Sequence, residues 1–175
     1  VSLNRWDTDA LIASIQADQK MADTKPLDRI RYGNFLSDAV VDSFDASKFG
    51  ISEAEASCMD PNQRLLLELS LEAVVDAGLA VEVLKGKRVG VFVAIMGNTT
   101  ANASIYFNTA QHLRTLSAYD VTSASLSVAG GRISYTFGFQ GPCSTIDTAC
   151  SSSLVAVHQA KSCLERGECD ICVVP

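Results

Sequence analysis

Residues 147–154, which read DTACSSSL, place a cysteine where an apolar, β-prone stretch gives way to a good helix former. We therefore expect Cys150 at a strand-to-helix turn, next to the N-terminus of the following helix. A thiol there lies near unpaired backbone N–H groups and the positive end of the helix dipole, and both favour the nucleophilic thiolate. A buried structural cysteine is the ordinary alternative. The small Ala149 and the three serines leave room for a substrate, so the sequence favours a reactive Cys150.

The polar residues beside Cys150 are expected to shape the turn. Asp147 and Thr148 should set it through side-chain-to-backbone hydrogen bonds rather than react. The serines at 151–153 could cap the helix that follows. The sequence contains no Ser-His-Asp arrangement, phosphate-binding loop or metal-binding cluster that would compete with Cys150 as the centre of chemistry.

A second cysteine motif lies near the end of the chain, where Cys169 and Cys172 have C-x-x-C spacing. If this segment is a strand, positions i and i+3 point to opposite faces of the sheet. We therefore expect these two thiols neither to bind one metal ion together nor to pair easily. No second C-x-x-C and no nearby histidine completes a zinc site.

Composition limits the class of protein. The 175 residues are 47% hydrophobic and 19% charged, which is typical of a globular domain with a real core. The net charge of −6 argues against nucleic-acid binding. No apolar run reaches the roughly 18–20 residues that a membrane span needs. Six cysteines in a long apolar chain favour a reducing compartment, which we take as the cytoplasm with a plastid left open.

The strongest element upstream of the turn is a helix that begins near residue 60. Asp60 can serve as its N-cap, Pro61 suits the first helical position, and Gln63 can complete a capping box. The helix should be mostly buried because its apolar surface is wide, and Gly78 should end it. Residues 89–95 then predict a strand that is buried on both faces.

The remaining elements alternate between helices and strands. They are a helix from Asp120 or Thr122 to Tyr135, a turn at 138–142, a strand from Ser144 to Ala149, the nucleophile helix at 151–166 with Gly167 as its C-cap, and a strand at 169–174. Gly130 and Gly131 lower helix propensity inside the first of these helices, which indicates close backbone packing. This β, α, β, α, β order predicts an α/β sheet with helical layers.

The first 59 residues are mostly irregular in pattern. Residues 9–21 are compatible with one helix. Phe35, Phe44 and Phe49 are expected to pin this part of the chain onto a core. The chain begins at Val1 without an initiator Met and stops inside an expected strand, so we expect a fragment of a longer protein.

Four blocks of sequence carry a family signature: residues 59–68 (MDPNQRLLLE), 131–135 (GRISY), 141–142 (GP) and 147–158, where DTACSSSL is followed by VAVH. Together they closely resemble the ketosynthase domain of polyketide synthases, in the β-ketoacyl synthase and thiolase-like superfamily. The resemblance runs from about Arg5 to the end of the chain. It departs at Leu71, where Trp is common, and at Cys143, where Ser is frequent, and neither position should touch the chemistry.

The resemblance implies a thiolase-like layered α/β/α/β/α architecture. Residues 1–175 would form most of its N-terminal half, without the first strand and helix and without the whole C-terminal half. The family's two catalytic histidines lie in motifs of that second half. The two histidines of this chain lie in neither motif, so we expect a core or partly buried structural role for His158 and a surface position for His112.

The mechanism that the resemblance implies assigns Cys150 as the covalent nucleophile. It would accept an acyl chain as a thioester from the phosphopantetheine arm of an acyl carrier protein, with its own backbone N–H forming part of the oxyanion hole. Decarboxylative Claisen condensation with a malonyl-type extender would follow and would need the histidine pair outside this chain. No cofactor or metal bound by the chain itself is implied. Arg132 is expected to be part-buried in a structural ion pair rather than on substrate.

The resemblance also implies partners and leaves alternatives open. Family members are homodimers, and here the strand from Ser144 to Ala149 would pair across the two-fold axis. Acyl carrier protein and acyl and malonyl thioesters are the other expected partners. A fatty-acid-type ketosynthase is one alternative. A truncated, non-catalytic module that only dimerises or docks carrier protein is another, which the presence of Cys150 disfavours.

Overall fold

The computed structural model of the protein describes residues 2–5, 32–35, 37, 40, 43–97, 119, 122–123 and 125–175. The chain divides into two units, Val1–Ser43 and Phe44–Pro175. In the first unit, strand β1 (Ser2–Arg5) pairs antiparallel with strand β2 (Tyr32–Phe35). The helix expected over residues 9–21 and the surface position expected for His112 fall outside the described residues.

The second unit is built from a parallel sheet and the helices that cover it. Its elements are, in chain order, a 3-10 helix (Ala46–Phe49), α1 (Glu53–Cys58), α2 (Pro61–Asp76), α3 (Val81–Leu84), β3 (Val89–Ala94), α4 (Val128–Phe137), β4 (Cys143–Ile146), a 3-10 helix (Ala149–Ser151), α5 (Ser152–Glu165) and β5 (Ile171–Val173). The strand order is β4-β3-β5, and both pairings are parallel. This confirms the predicted α/β class.

Strand β3 is the centre of the sheet and is buried on both faces, as its continuous apolar run predicted. Val89, Val91 and Val93 lie in one apolar cluster with residues of α2 and α4. Phe92 points to the opposite face and lies in a second cluster with Ala156 of α5. The sheet therefore has a helical layer on each face, and α5 is the layer that follows the cysteine turn.

Helix α2 confirms one part of its expected cap and corrects another. The Asp60 carboxylate accepts a hydrogen bond from the Asn62 N–H at 2.8 Å, and Gly78 follows the helix in the left-handed conformation. Gln63 does not complete a capping box, because its side chain bonds to the segment at 122–125 and to Arg132 instead. The helix is also less buried than expected. Its fully buried stripe is Gln63, Leu67, Ser70 and Val74, whereas Leu69 and Val75 are exposed.

Residues 122–123 are helical as predicted, but the non-helical Ser125 separates them from helix α4. It starts at Val128 after a turn at residues 126–127 and ends at Phe137, where Gly138 has a φ of +70°. Close packing explains only one of its two glycines. A Cβ at Gly130 would lie 3.0 Å from the Cys143 sulfur of β4, whereas a Cβ at Gly131 would meet nothing within 4 Å.

The strands that flank β3 are shorter than expected. Strand β4 ends at Ile146 rather than Ala149, because the backbone N–H of Ala149 turns back to bond the Asp147 side chain. Strand β5 starts at Ile171, so Cys169 precedes it. The end of α5 differs from the prediction by one residue: the helix ends at Glu165 with Arg166 as its C-cap. Gly167 then takes the left-handed conformation, and its N–H donates to the Leu164 carbonyl.

Phe44 and Phe49, two of the three phenylalanines expected to pack onto a core, do so within the second unit. The ring of Phe44 stacks on that of Phe49 at 5.2 Å between centroids, and Phe49 makes an edge contact with Phe137 of α4. Phe35 lies in β2, and its side chain is outside the described part of the structure. In that described part, no helix is both long enough and apolar enough to cross a membrane.

Candidate active site

Cys150 occupies the turn that the sequence predicted, in the 3-10 helix between β4 and α5. Its side chain is exposed. The preceding Ala149 has a φ of +53°, and it is the only non-glycine residue with positive φ in the described part of the chain. A residue with a Cβ pays a steric penalty in this left-handed conformation, and such strain is concentrated at functional turns. The chain therefore bends sharply just before the thiol and presents it outward.

Side chains from both sides of Cys150 hold this bend. The Asp147 Oδ1 accepts a hydrogen bond from the Ala149 N–H at 3.1 Å, which confirms the expected role of Asp147. The Ser152 Oγ accepts from the Thr148 N–H and donates to the Ala149 carbonyl, both at 2.8 Å. The Ser151 Oγ donates to the Thr148 carbonyl at 2.7 Å.

The serines do not cap α5 as the sequence suggested. No side chain accepts a hydrogen bond at the N-cap position of α5, which is Ser151. Ser151 and Ser152 instead bond backward to the turn. This is the competition between local side-chain bonds and helix capping that short hydroxyl side chains permit.

The backbone beside the thiol offers a free donor. The Cys150 N–H donates to no described residue, and it lies at the N-terminal end of the 14-residue helix α5. Unpaired N–H groups and the helix dipole at such an end favour negative charge. The oxyanion formed when the thiol attacks a carbonyl would be stabilised at this position.

The exposed face of α5 corrects the expectation for His158. The buried positions of the helix are Ser152, Ala156, Ala160 and Cys163, which form one stripe toward the sheet. His158 lies outside this stripe and is exposed, so the predicted core or partly buried position is wrong. Leu154 and Val157 are apolar and also exposed, at 77% and 54% of their surface. The surface that follows the cysteine turn is therefore unusually apolar.

Arg132 forms the buried ion pair that the sequence predicted. Its side chain is only 8% exposed and pairs with Glu55 of α1. Its Nε donates to the Gln63 Oε1 at 2.8 Å, and the Gln63 amide donates in turn to the carbonyls of Thr122, Ser123 and Ser125. This network joins α1, α2 and α4, and sequence reasoning missed both partners of Arg132. Gln63, at the start of α2, was the residue in the sequence that could have indicated a partner for Arg132. It was interpreted as part of a capping box instead.

The cysteines at the other end of α5 contradict the expectation for the C-x-x-C motif. The sulfurs of Cys169 and Cys172 lie 3.2 Å apart. Strand alternation does not separate them because Cys169 precedes β5. Burial, together with the neighbouring Cys169 thiol, raises the pKa of Cys172 to about 12. The bond to the Glu168 carboxylate at 3.1 Å, together with burial, also raises the pKa of Cys163. Within the described residues, no group of three or more His, Cys, Asp or Glu side chains could hold a metal ion.

The fold and the turn define an α/β protein with an exposed cysteine on a strained strand-to-helix turn. The family comparison places it more closely: residues 2–175 match the family described as "Beta-ketoacyl synthase, N-terminal domain". The chain belongs to this family. This confirms the resemblance stated from the four sequence blocks, and the family is one of condensing acyltransferases.

Similar proteins are large polyketide synthases. The chain is 49% identical over 141 residues to the pikromycin polyketide synthase component PikAII of Streptomyces venezuelae. The aligned region covers 81% of this chain and 4% of that protein. It is 46% identical, again over 81% of the chain, to the phenolphthiocerol synthesis polyketide synthase type I Pks15/1 of Mycobacterium bovis, of which it covers 6%. The chain therefore spans only a small part of the relatives that it matches.

Solved ketosynthases share the fold. The oxazolomycin ketosynthase domain OzmH KS7 of Streptomyces albus JA3453 aligns with a TM-score of 0.67 and 36% identity, over 79% of this chain and 23% of that one. The ketosynthase from module 6 of the bacillaene synthase of Bacillus subtilis 168, a cysteine-to-serine variant, aligns with a TM-score of 0.60 and 33% identity over 74% of this chain and 20% of that one. These neighbours confirm the thiolase-like fold class.

Proposed function

We propose that this chain is the N-terminal half of a polyketide ketosynthase domain and that it supplies the nucleophile, Cys150. The observation that carries the proposal is the turn itself: the exposed Cys150 thiol follows a left-handed Ala149, and the Cys150 N–H at the start of α5 donates to none of the described residues. The polyketide synthases among the relatives favour polyketide over fatty-acid synthesis. The activity belongs to the complete domain, of which this chain would be one part.

The first step is transfer of the acyl chain to the thiol. The Cys150 thiolate attacks the carbonyl carbon of an acyl thioester carried on the phosphopantetheine arm of acyl carrier protein. The new C–S bond to Cys150 forms, the C–S bond to phosphopantetheine breaks, and the carrier thiolate leaves and takes up a proton. The Cys150 N–H would stabilise the oxyanion of the tetrahedral intermediate, since a free donor at a helix N-terminus costs no reorganisation.

The second step is carbon–carbon bond formation. A malonyl-type thioester on carrier protein loses carbon dioxide, and the electron pair of the broken C–C bond becomes an enolate. The enolate carbon attacks the acyl carbonyl on Cys150, and the thiolate of Cys150 leaves to give a β-ketoacyl thioester. The histidine pair expected in the C-terminal half would assist decarboxylation, so the residues of this chain would hold and release the acyl group.

The test compares two exposed cysteines in the full-length protein. Cys150→Ala should abolish β-ketoacyl product formation, a loss of at least about a thousandfold, because no other group replaces a covalent nucleophile. Cys143→Ala is the matched control, since Cys143 is also exposed but lies in β4. It should keep product formation within about threefold of the parent, a loss too small for a covalent nucleophile. Equal losses in the two variants, or full activity of Cys150→Ala, would contradict the proposal.

We also propose that β4 is the strand through which the protein forms a homodimer. Within the described sheet, β4 is an edge strand, paired only with β3. The Val91 N–H donates to the Pro142 carbonyl and the Ile95 N–H to the Ile146 carbonyl. Backbone groups alternate in direction along a strand, so those of Cys143 and Thr145 point to the open edge. An open edge of this kind is suited to pair with a second copy of itself.

A proline at Thr145 tests this pairing. Thr145→Pro removes an N–H that points away from β3, so the sheet should survive while pairing across the two-fold axis is lost. Thr145→Ala is the control, because it keeps the backbone N–H and removes only side-chain atoms, namely the γ-methyl group and the hydroxyl that accepts from the Gly130 N–H. We expect dimers by analytical ultracentrifugation for the parent and Thr145→Ala and monomers for Thr145→Pro. A folded Thr145→Pro dimer as tight as the parent's would exclude β4 as the interface.

A further inference from the structure

We propose that Ser152 is a positioning residue that holds Cys150 in its reactive geometry; the inference rests on the proposed function of Cys150. The Ser152 hydroxyl bridges the turn on the N-terminal side of the thiol. It accepts from the Thr148 N–H and donates to the Ala149 carbonyl, each at 2.8 Å. These two bonds use one donor and one acceptor site of the hydroxyl.

Ser152 differs from the other side chains that bond to the turn because it is buried. Its exposed fraction is 5%, whereas Asp147 and Ser151 are exposed. Water can replace a hydrogen bond at an exposed position, but a buried hydroxyl that is deleted leaves its partners without a substitute. We call the three side chains that bond to the turn, those of Asp147, Ser151 and Ser152, the clamp. Loss of Ser152 should disturb the turn more than loss of either of the other two.

The strain at Ala149 explains why a clamp is needed. Alanine disfavours its observed φ of +53°, and without opposing bonds the residue would relax toward negative φ. Such a rotation would reorient the next residue, Cys150, so that both its sulfur and its own backbone N–H would turn away from their present positions at the start of α5. The Ser152 hydroxyl holds the backbone on both sides of the Ala149 φ angle, because it accepts from the Thr148 N–H before this angle and donates to the Ala149 carbonyl after it. The two bonds therefore resist this rotation directly.

The primary measurement is the rate at which iodoacetamide alkylates Cys150 in the full-length protein, followed by peptide mass spectrometry from about pH 6 to about pH 9. Ser152→Ala should lower this rate about tenfold, as expected when a buried hydrogen-bonding hydroxyl that orients a nucleophile is lost. Ser153→Ala is the matched control: Ser153 is exposed, and its hydroxyl makes no hydrogen bond within the described residues. It should alkylate at the parent rate. Ser152→Thr, which keeps the hydroxyl, should recover most of the loss.

A second variant separates positioning from general stability. Glycine adopts positive φ without strain, so Ala149→Gly removes the strain that the Ser152 hydrogen bonds oppose. In the Ala149→Gly background, Ser152→Ala should therefore cost less than about threefold, a coupling that a double-mutant cycle measures. A merely structural hydroxyl would cost the same in both backgrounds. If Ser152→Ala alone fails to fold, the cost within the Ala149→Gly background decides by itself: less than about threefold supports the positioning role, and about tenfold overturns it.

The outcomes distinguish this inference from the proposed function. Ser152→Ala alkylation within about twofold of the parent, or an equal loss in both backgrounds, would overturn the positioning role. The alkylation rate depends only on the geometry and accessibility of the turn, whereas acyl transfer to Cys150 tests the proposed function. A parent protein that is alkylated at Cys150 but never acylated there would refute the proposed function and leave the role of Ser152 standing. If Cys150 is acylated at the same rate with and without Ser152→Ala, the proposed function stands and the positioning role of Ser152 is refuted.

Discussion

At its N-terminal end, α5 follows a turn that exposes Cys150, whereas its C-terminal end and the strand after it enclose Cys163, Cys169 and Cys172. The first thiol lies next to the Cys150 backbone N–H, which donates to no residue in the part of the chain that the structure describes. Two of the other three are almost fully buried, at 5% exposed for Cys163 and 3% for Cys169. The residue type is the same at both ends of one helix, so the surroundings alone decide which sulfur can react.

The contrast has identifiable physical causes. At the turn, a strained Ala149 and a polar clamp present the sulfur to solvent at the positive end of a helix. At the other end, burial raises the pKa of Cys172 to about 12 and so keeps the thiol protonated. Cys163 donates to the Glu168 carboxylate, which opposes a second negative charge beside it. The surroundings thus leave one thiol accessible at the turn and keep the thiols at the other end buried or protonated.

The largest expected effect is the difference in labelling between the two ends. At about pH 8, iodoacetamide should modify Cys150 at least about a hundredfold faster than Cys169 or Cys172, because only exposed thiolates react. Quantitative peptide mass spectrometry over a time course measures all three rates in one sample. Comparable labelling rates for Cys150 and for Cys169 or Cys172 would show that the two ends of the helix do not differ in thiol accessibility.

Raising the pH should narrow this difference. Because the pKa of Cys172 is raised to about 12, its thiolate fraction grows about tenfold per pH unit up to that value. The folded state also keeps a proton that the unfolded chain releases near pH 9, so this group's contribution to stability is lost as pH rises from about 9 to about 12. A Cys172 labelling rate that levels off below about pH 10 would show that the pKa is not raised.

A smaller effect is expected from crowding the buried cysteines. A Cβ at Gly90 of β3 would lie 2.9 Å from the Phe92 ring and 3.2 Å from the Cys172 sulfur. Gly90→Ala should lower the free energy of unfolding by about 1–3 kcal/mol through overpacking. Gly131→Ala is the control, since its Cβ would meet nothing within 4 Å and alanine favours the helix. Urea denaturation that ranks Gly90→Ala as stable as Gly131→Ala would refute the tight packing.

The smallest effect concerns Cys163. Glu168→Gln replaces the carboxylate that accepts from the Cys163 thiol with a neutral amide, so the pKa of Cys163 should fall. Its labelling at about pH 8 should rise a few-fold, limited by burial, while the rate at Cys150 stays constant. Peptide mass spectrometry again reports both sites. An unchanged or slower rate at Cys163 would assign its protection to burial alone.

The sequence predicted best where the determinants are local. The position of Cys150, the bond from the Ala149 N–H to Asp147 and the stop at Gly167 all follow from residues within a few positions of one another. The double burial of β3 was likewise readable from its continuous apolar run. These features need no knowledge of the rest of the fold.

The predictions failed where tertiary contacts override a local pattern. Gln63 has capping-box spacing, yet its amide bonds to residues about 60 positions away, which no local rule anticipates. His158 is exposed because the buried stripe of α5 is set by the position of the sheet. The error at Cys169 and Cys172 came from placing the strand two residues too early, after which the alternation rule gave the wrong faces.

The most direct test of the account identifies the acylated residue. Incubation of the full-length protein with an acyl thioester of carrier protein, followed by rapid quenching and peptide mass spectrometry, reports where the acyl group rests. We expect a thioester on Cys150 and on no other of the six cysteines. Acyl groups spread over several cysteines, or a folded protein that releases product without ever carrying an acyl group on Cys150, would contradict it.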